Sequence, residues 1–189
     1  MLNVEDAHKI LTEKLTFDPG KFYGPANDLS IGVGQVYLGI RYPIYSPETE
    51  LYQTAEGIVY LLTHECDIDQ TNVRPFNTDL LICPILDFRI FIDEYQNELS
   101  EELLISFIGN LGSRNVSRVI YIPYFNEAVL PFGGLLYLNQ ITNTNIKSLS
   151  KENAQRLCSV TRYGFQIIDQ SICNHLLRPK AEAVPLMEV

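Results

Sequence analysis

Along this chain the spacing of apolar residues switches between a helical and an extended period, and each switch marks an element. Near the start, Val4, Ala7, Leu11 and Leu15 recur at helical spacing. Asn3 stands before them as an N-cap with Asp6 three residues on, in the manner of a capping box, and Pro19-Gly20 ends the unit. Residues 21–34 are rich in Gly, Pro and Asn and read as loop. Gln35-Val36-Tyr37-Leu38-Gly39-Ile40 predicts a strand, followed by a Pro-containing connection. Gly57-Ile58-Val59-Tyr60-Leu61-Leu62-Thr63 and Leu80-Leu81-Ile82-Cys83-Pro84-Ile85 are near-continuous apolar runs, as expected of strands buried on both faces. Pro84 has no N–H to donate, which predicts that its strand ends there or becomes an edge.

The second half follows the same logic. Ser100 predicts an N-cap, Glu101 and Glu102 suit the positive helix start, Leu99 staples to Leu104, and Gly109 and Gly112 close the helix. Arg118–Ile122 predicts a strand that Pro123 stops. Leu135–Leu138 predicts another, introduced by Gly133-Gly134 and continuing through Asn139-Gln140-Ile141. Finally Leu157, Thr161, Phe165, Ile168, Ile172 and Leu176 fall at spacings of four, four, three, four and four, which predicts a long C-terminal helix with Ser150 as N-cap, Arg178 at its end and Pro179 as its stop. The reading is one α+β domain over residues 1–189, with 180–189 as a loose tail. Its sheet is a partly open barrel of about five or six strands flanked by helices.

Composition narrows the function. The net charge is −9, which disfavours a broad grip on phosphates, so a protein partner is favoured over nucleic acid. Cys66, Cys83, Cys158 and Cys173 form no C-x-x-C pair. Met1–Asp6 lacks the basic and apolar regions of a signal peptide, and no apolar run reaches the ~20 residues that span a bilayer. These features predict a cytoplasmic protein with reduced thiols and no membrane partner.

The chemically loaded segment lies at the exit of a buried strand, where His64, Glu65, Cys66, Asp67, Asp69 and Gln70 crowd together after Thr63. In extended geometry His64 and Cys66 share one face. Three readings stand open. His64 and Cys66 are two candidate zinc ligands, completed by Asp67, Cys173 or His175. Cys66 is a candidate nucleophile activated by His64, with Asp67 beside them as a third candidate catalytic residue. In the structural reading, Asp67 and Asp69 bind local amides and Cys66 is buried. Asp69 is also a candidate binding residue. Among Arg74, Arg114, Arg118, Arg156 and Arg162, Arg114 and Arg118 flank a turn and form the best candidate phosphate contacts, against a reading as surface ion pairs.

Four segments in order carry a resemblance: Gly34-Gln35-Val36-Tyr37, Gly57–Leu62, Leu80–Ile85 and Leu135–Ile141. Together they resemble the SH3-like barrel of the MazF/PemK toxin family, whose late strand ends in L-x-Q-I, matched here by Leu138-Asn139-Gln140-Ile141. The family's threonine after this motif falls between Thr142 and Thr144. The resemblance implies a partly open SH3-like β-barrel and makes Gln140 a candidate binding residue. It also implies a ribonuclease arginine at the start of the second strand, where this chain has Ala55-Glu56-Gly57-Ile58. The leading expectation is an accessory or effector protein of a bacterial toxin–antitoxin or phage-defence type system, acting by partner binding. The alternative is a ribonuclease-like or metal-dependent hydrolase centred on His64, Cys66 and Asp67.

Overall fold

The computed structural model describes residues 2–24, 31–69, 71 and 79–176. Arg74, Arg178, Pro179 and the tail 180–189 lie outside the described residues. The chain is α+β. Its strands are β1 (Tyr23–Gly24), β2 (Gln35–Ser46), β3 (Leu51–Leu61), β4 (Asp79–Asp87), β5 (Val119–Ile122), β6 (Gly134–Tyr137), β7 (Thr142–Asn145) and β8 (Gln155–Val160). Its helices are α1 (Val4–Glu13), α2 (Glu65–Ile68), α3 (Phe88–Tyr95), α4 (Glu101–Gly112) and α5 (Arg162–Leu176). Among the described residues the strands form one open antiparallel sheet in the order β1-β8-β2-β3-β4-β6-β5, with β7 also paired to β4.

β4 is the hub of this sheet. It pairs with β3 on one side through Ile82–Ile85. On the other side Asp79–Ile82 pair with β7 and Ile85–Asp87 pair with β6. Leu81 offers its carbonyl to Leu62 N at 2.9 Å, so odd-numbered residues of β4 turn their backbone groups towards β3. Pro84 therefore turns away from β3, into the gap where β7 has left the ladder and β6 has not yet joined. No donor is needed there, so the proline neither ends the strand nor makes it an edge, which corrects the expectation from its missing N–H. The segment Leu138–Gln140, expected to extend β6, is instead a 3₁₀ turn that carries the chain across this gap from β6 to β7.

Both faces of the sheet are covered. Side chains alternate along β5, so that Val119 and Tyr121 pack with α1, α3 and α4, while Ile120 and Ile122 face the α5 side. On β3, Tyr60 joins the α5 side, and Val59 and Leu61 join Tyr37, Ile40, Leu80 and Ile82 in a separate cluster on the other face. Tyr37 and Ile40 share a face only because a bulge adds a residue between them: they sit opposite Val59 and Gly57. Gly39 makes the bulge with φ +74°, against the Asn153 carbonyl. The sheet curls, and Thr144 of β7 donates its hydroxyl to the Arg41 carbonyl of β2 at 2.7 Å.

Several local expectations hold for physical reasons visible at the caps. Asn3 accepts from Asp6 N, and Ser100 accepts from Leu103 N. α4 runs to Gly112, so Gly109 is interior rather than terminal. α3 is new relative to the sequence reading. Asp87 ends β4 and caps α3 at once, accepting from Arg89 N at 2.8 Å while Arg89 holds its carboxylate at 2.6 Å. The loop expected at 21–34 contains β1, which pairs with β8. The connection expected after Ile40 is the outer half of a β2–β3 hairpin that turns at 47–50.

The C-terminal helix begins later than its apolar spacing implies. Residues 155–160 form β8, and Ser150 lies in a 3₁₀ turn, Ile146–Ser150. Thr161 is where α5 starts, since its Oγ1 accepts from Gly164 N at 3.2 Å and donates to the Lys21 carbonyl at 2.6 Å. Gly164 belongs to the first turn, where a Cβ would meet Val160 and the Phe22 carbonyl. Gly39→Ala should strain a left-handed position and push against Asn153, costing about 1–3 kcal/mol from the backbone alone. A lowered urea midpoint at unchanged m-value is the expected reading.

Candidate functional site

The segment after β3 is positioned by two anchors. Leu81 N donates to Thr63 Oγ1 at 2.6 Å, which fixes the strand exit. Ile68 is buried in the cluster beneath β2, β3 and β4, which fixes the far end. Between them α2 makes a single turn, so the extended geometry that would align His64 with Cys66 is replaced by a capped one. His64 is the N-cap, and its Nδ1 accepts from Cys66 N at 3.3 Å. The same Nδ1 lies 3.2 Å from Glu65 Oε2.

The individual residues divide between readings. Asp69 accepts from Thr71 N at 2.9 Å and from Thr71 Oγ1 at 2.8 Å, and these bonds hold its carboxyl below the ordinary carboxylate range. That part of the structural reading is observed. Cys66 is exposed, not buried as that reading expected, because its side chain leaves a one-turn helix whose inward position is taken by Ile68. Asp67 is exposed on the same turn. Among the described residues no group of three or more His, Cys, Asp or Glu side chains is placed to hold a metal ion, and Gln70 lies outside those residues.

The other candidates stand apart from this segment. Arg114, at φ +61°, donates to the Ile167 carbonyl, to Gln170 Oε1 at 3.1 Å and to Ser171 Oγ at 3.3 Å. Its guanidinium is thus a strap on α5 rather than a surface ion pair. Arg118 lines a cavity of about 510 Å³ with Phe107, Asn110 and Tyr137. Gln140 lines a different cavity of about 340 Å³, walled by Tyr42, Tyr45, Tyr52 and Pro84. His64 sits at a third, between α5 and the sheet. The structure does not bring His64, Arg118 and Gln140 to one site.

Two features escaped the sequence reading. One is the groove under α5, whose apolar residues Phe165, Ile168, Ile172 and Leu176 were legible as a stripe but whose opposite wall was not. The other is the exposed aromatic end of the β2–β3 hairpin, hidden within a connection. No described helix is long and apolar enough to cross a membrane. Comparison with protein-family models, with curated proteins and with solved structures finds no match for this chain.

The cysteines supply a direct check on this geometry. Burial pushes the Cys83 and Cys158 thiols from 9.0 up to about 12, while Cys66 and Cys173 are exposed. A thiol-specific reagent at neutral pH should label Cys66 and Cys173 in the folded protein and reach Cys83 and Cys158 only on unfolding, as read by peptide mass mapping. The same burial makes the folded state hold these protons after the unfolded chain has released them. Thermal stability should therefore fall as pH rises from about 9 towards 12, followed by circular dichroism.

Proposed function

We propose that this chain is a partner-binding protein of the cytoplasm, the accessory or effector component of a bacterial toxin–antitoxin or phage-defence type system, and that its partner is a protein. The observation that carries this reading is the outer half of the β2–β3 hairpin. Pairing of β2 with β8 ends at Leu38, and pairing of β3 with β4 ends at Ile58. Beyond these points Arg41–Ser46 and Leu51–Glu56 pair only with each other among the described residues. A two-stranded ribbon of this kind is marginal by itself.

This ribbon carries apolar surface outward. Tyr45, Leu51 and Tyr52 are 49%, 65% and 78% exposed. Tyr45 and Tyr52 meet edge to face at 5.6 Å, worth about 0.5–1.5 kcal/mol, and so hold each other in a defined shape without covering each other. Large exposed aromatic side chains on a shaped support are the residues that dominate protein interfaces. The surrounding charge favours a protein over a nucleic acid: Glu48 and Glu50 are exposed at the turn, and the Arg41 guanidinium is held by Glu56 at 2.7 Å.

The SH3-like reading of the barrel is part of the same proposal. Strands β8, β2, β3, β4 and β7 run in antiparallel succession, and the Thr144 contact to Arg41 draws β7 towards β2. Both features support it.

The test is co-expression with the product of the neighbouring gene. The two should co-elute on size exclusion, and Tyr45→Ser with Tyr52→Ser should abolish co-elution while lowering the melting temperature by no more than a few degrees, the loss expected from their mutual contact alone. His64→Ala and Asp67→Ala should leave it intact. RNA cleavage by the wild type that is lost in His64→Ala or Asp67→Ala would instead make the segment after β3 a catalytic centre.

A further inference from the structure

Between α5 and the sheet lies a groove of about 440 Å³, a volume in the range of small-molecule sites. Phe165, Ile168 and Ile172 line it from the helix, and Leu62, Leu81 and Ile141 line it from the opposite wall. Besides His64 at its rim, two polar groups interrupt this apolar lining in a way that an empty packing defect does not require. Tyr60 is 1% exposed, and its hydroxyl makes no hydrogen bond among the described residues. Burial, and after it the charge of Asp169, which is exposed on α5 and lines the same groove, raise the Tyr60 pKa far above its ordinary value. Asp169 itself forms no ion pair among the described residues. A buried hydroxyl with no partner is costly, and its persistence points to a group that satisfies it in another state.

We propose that this groove binds a small amphiphilic amine, its alkyl or aryl body lying along the α5 stripe and its ammonium group held between the Tyr60 hydroxyl and the Asp169 carboxylate. The chemistry selects this class from its neighbours. A plain hydrocarbon fills the groove but leaves Tyr60 unsatisfied. A fatty carboxylate satisfies Tyr60 but faces Asp169 in a chain of net charge −9. An ammonium donates to both oxygens at once, and charge-assisted bonds of this kind are the strong ones. His64 stands at the rim, exposed and engaged with Cys66 N and Glu65, so it borders the site without entering the ammonium's shell. The site is separate from the hairpin surface and does not depend on the partner reading.

Calorimetric titration of the full chain with decylamine, decanol and decanoate, each below its micellar concentration, tests this. Decylamine should bind saturably at one site, with decanoate weaker by about tenfold or more, as expected for a lost charge-assisted hydrogen bond replaced by repulsion. Asp169→Asn should remove that preference. Tyr60→Phe should weaken decylamine by about tenfold while raising the melting temperature of the unliganded protein, because it deletes the unpartnered hydroxyl. Three results would overturn the proposal: no saturable binding, equal binding of amine and carboxylate, or wild-type affinity in both variants.

Discussion

The structure depends on one backbone constraint: β4 must pair on both sides, and it carries a residue that cannot donate. Placing Pro84 where the far ladder is interrupted resolves this, and the interruption then shapes the rest. Because the partner on that side changes at the proline, the sheet forks. One branch, β6 and β5, carries the layer of α1, α3 and α4. The other branch, β7, curls back towards β2 and closes over the cluster of Tyr37, Ile40, Val59 and Leu61. A proline in a central strand here separates two packing environments that a continuous ladder would have merged.

From this fork come the two surfaces on which function is argued. The outer β2–β3 ribbon pairs with no further strand among the described residues, and Tyr45, Leu51 and Tyr52 stand exposed on it. The opposite face is roofed by α5, which rests on Ile167 and Ile168 and is held from outside by Arg114. The segment after β3 sits between these surfaces. Its cap and its Ile68 anchor account for the turn in structural terms, and Cys66 and Asp67 stand exposed on it.

The parts of the fold that were legible in the sequence are those decided within a few residues. The caps at Asn3 and Ser100 and the apolar runs of β3 and β4 read correctly because local hydrogen bonding and burial decide them. The failures have a common cause in longer range. Leu157 and Thr161 fit a helical spacing by coincidence, while pairing with β1 and β2 makes residues 155–160 a strand. The polar, Pro-bearing stretch from Arg41 to Glu56 looks like a connection, and only the cross-strand register reveals a hairpin. Of the candidate site, the location of His64 through Asp69 and the local bonds of Asp69 were legible. The groove that His64 borders was not, since no spacing along the chain reports which side chains α5 meets.

One hydroxyl ties the beginning of the chain to its end. Thr161 bonds the Lys21 and Phe22 carbonyls, partners 140 and 139 residues away, and the same side chain starts α5. Seating the roof on the sheet therefore requires two segments far apart in the chain to meet. Long-range closure of this type is slow and leaves sticky surface exposed in the interval. The groove under α5 is accordingly a product of the slowest class of contact in this fold, formed only where the two distant segments have met.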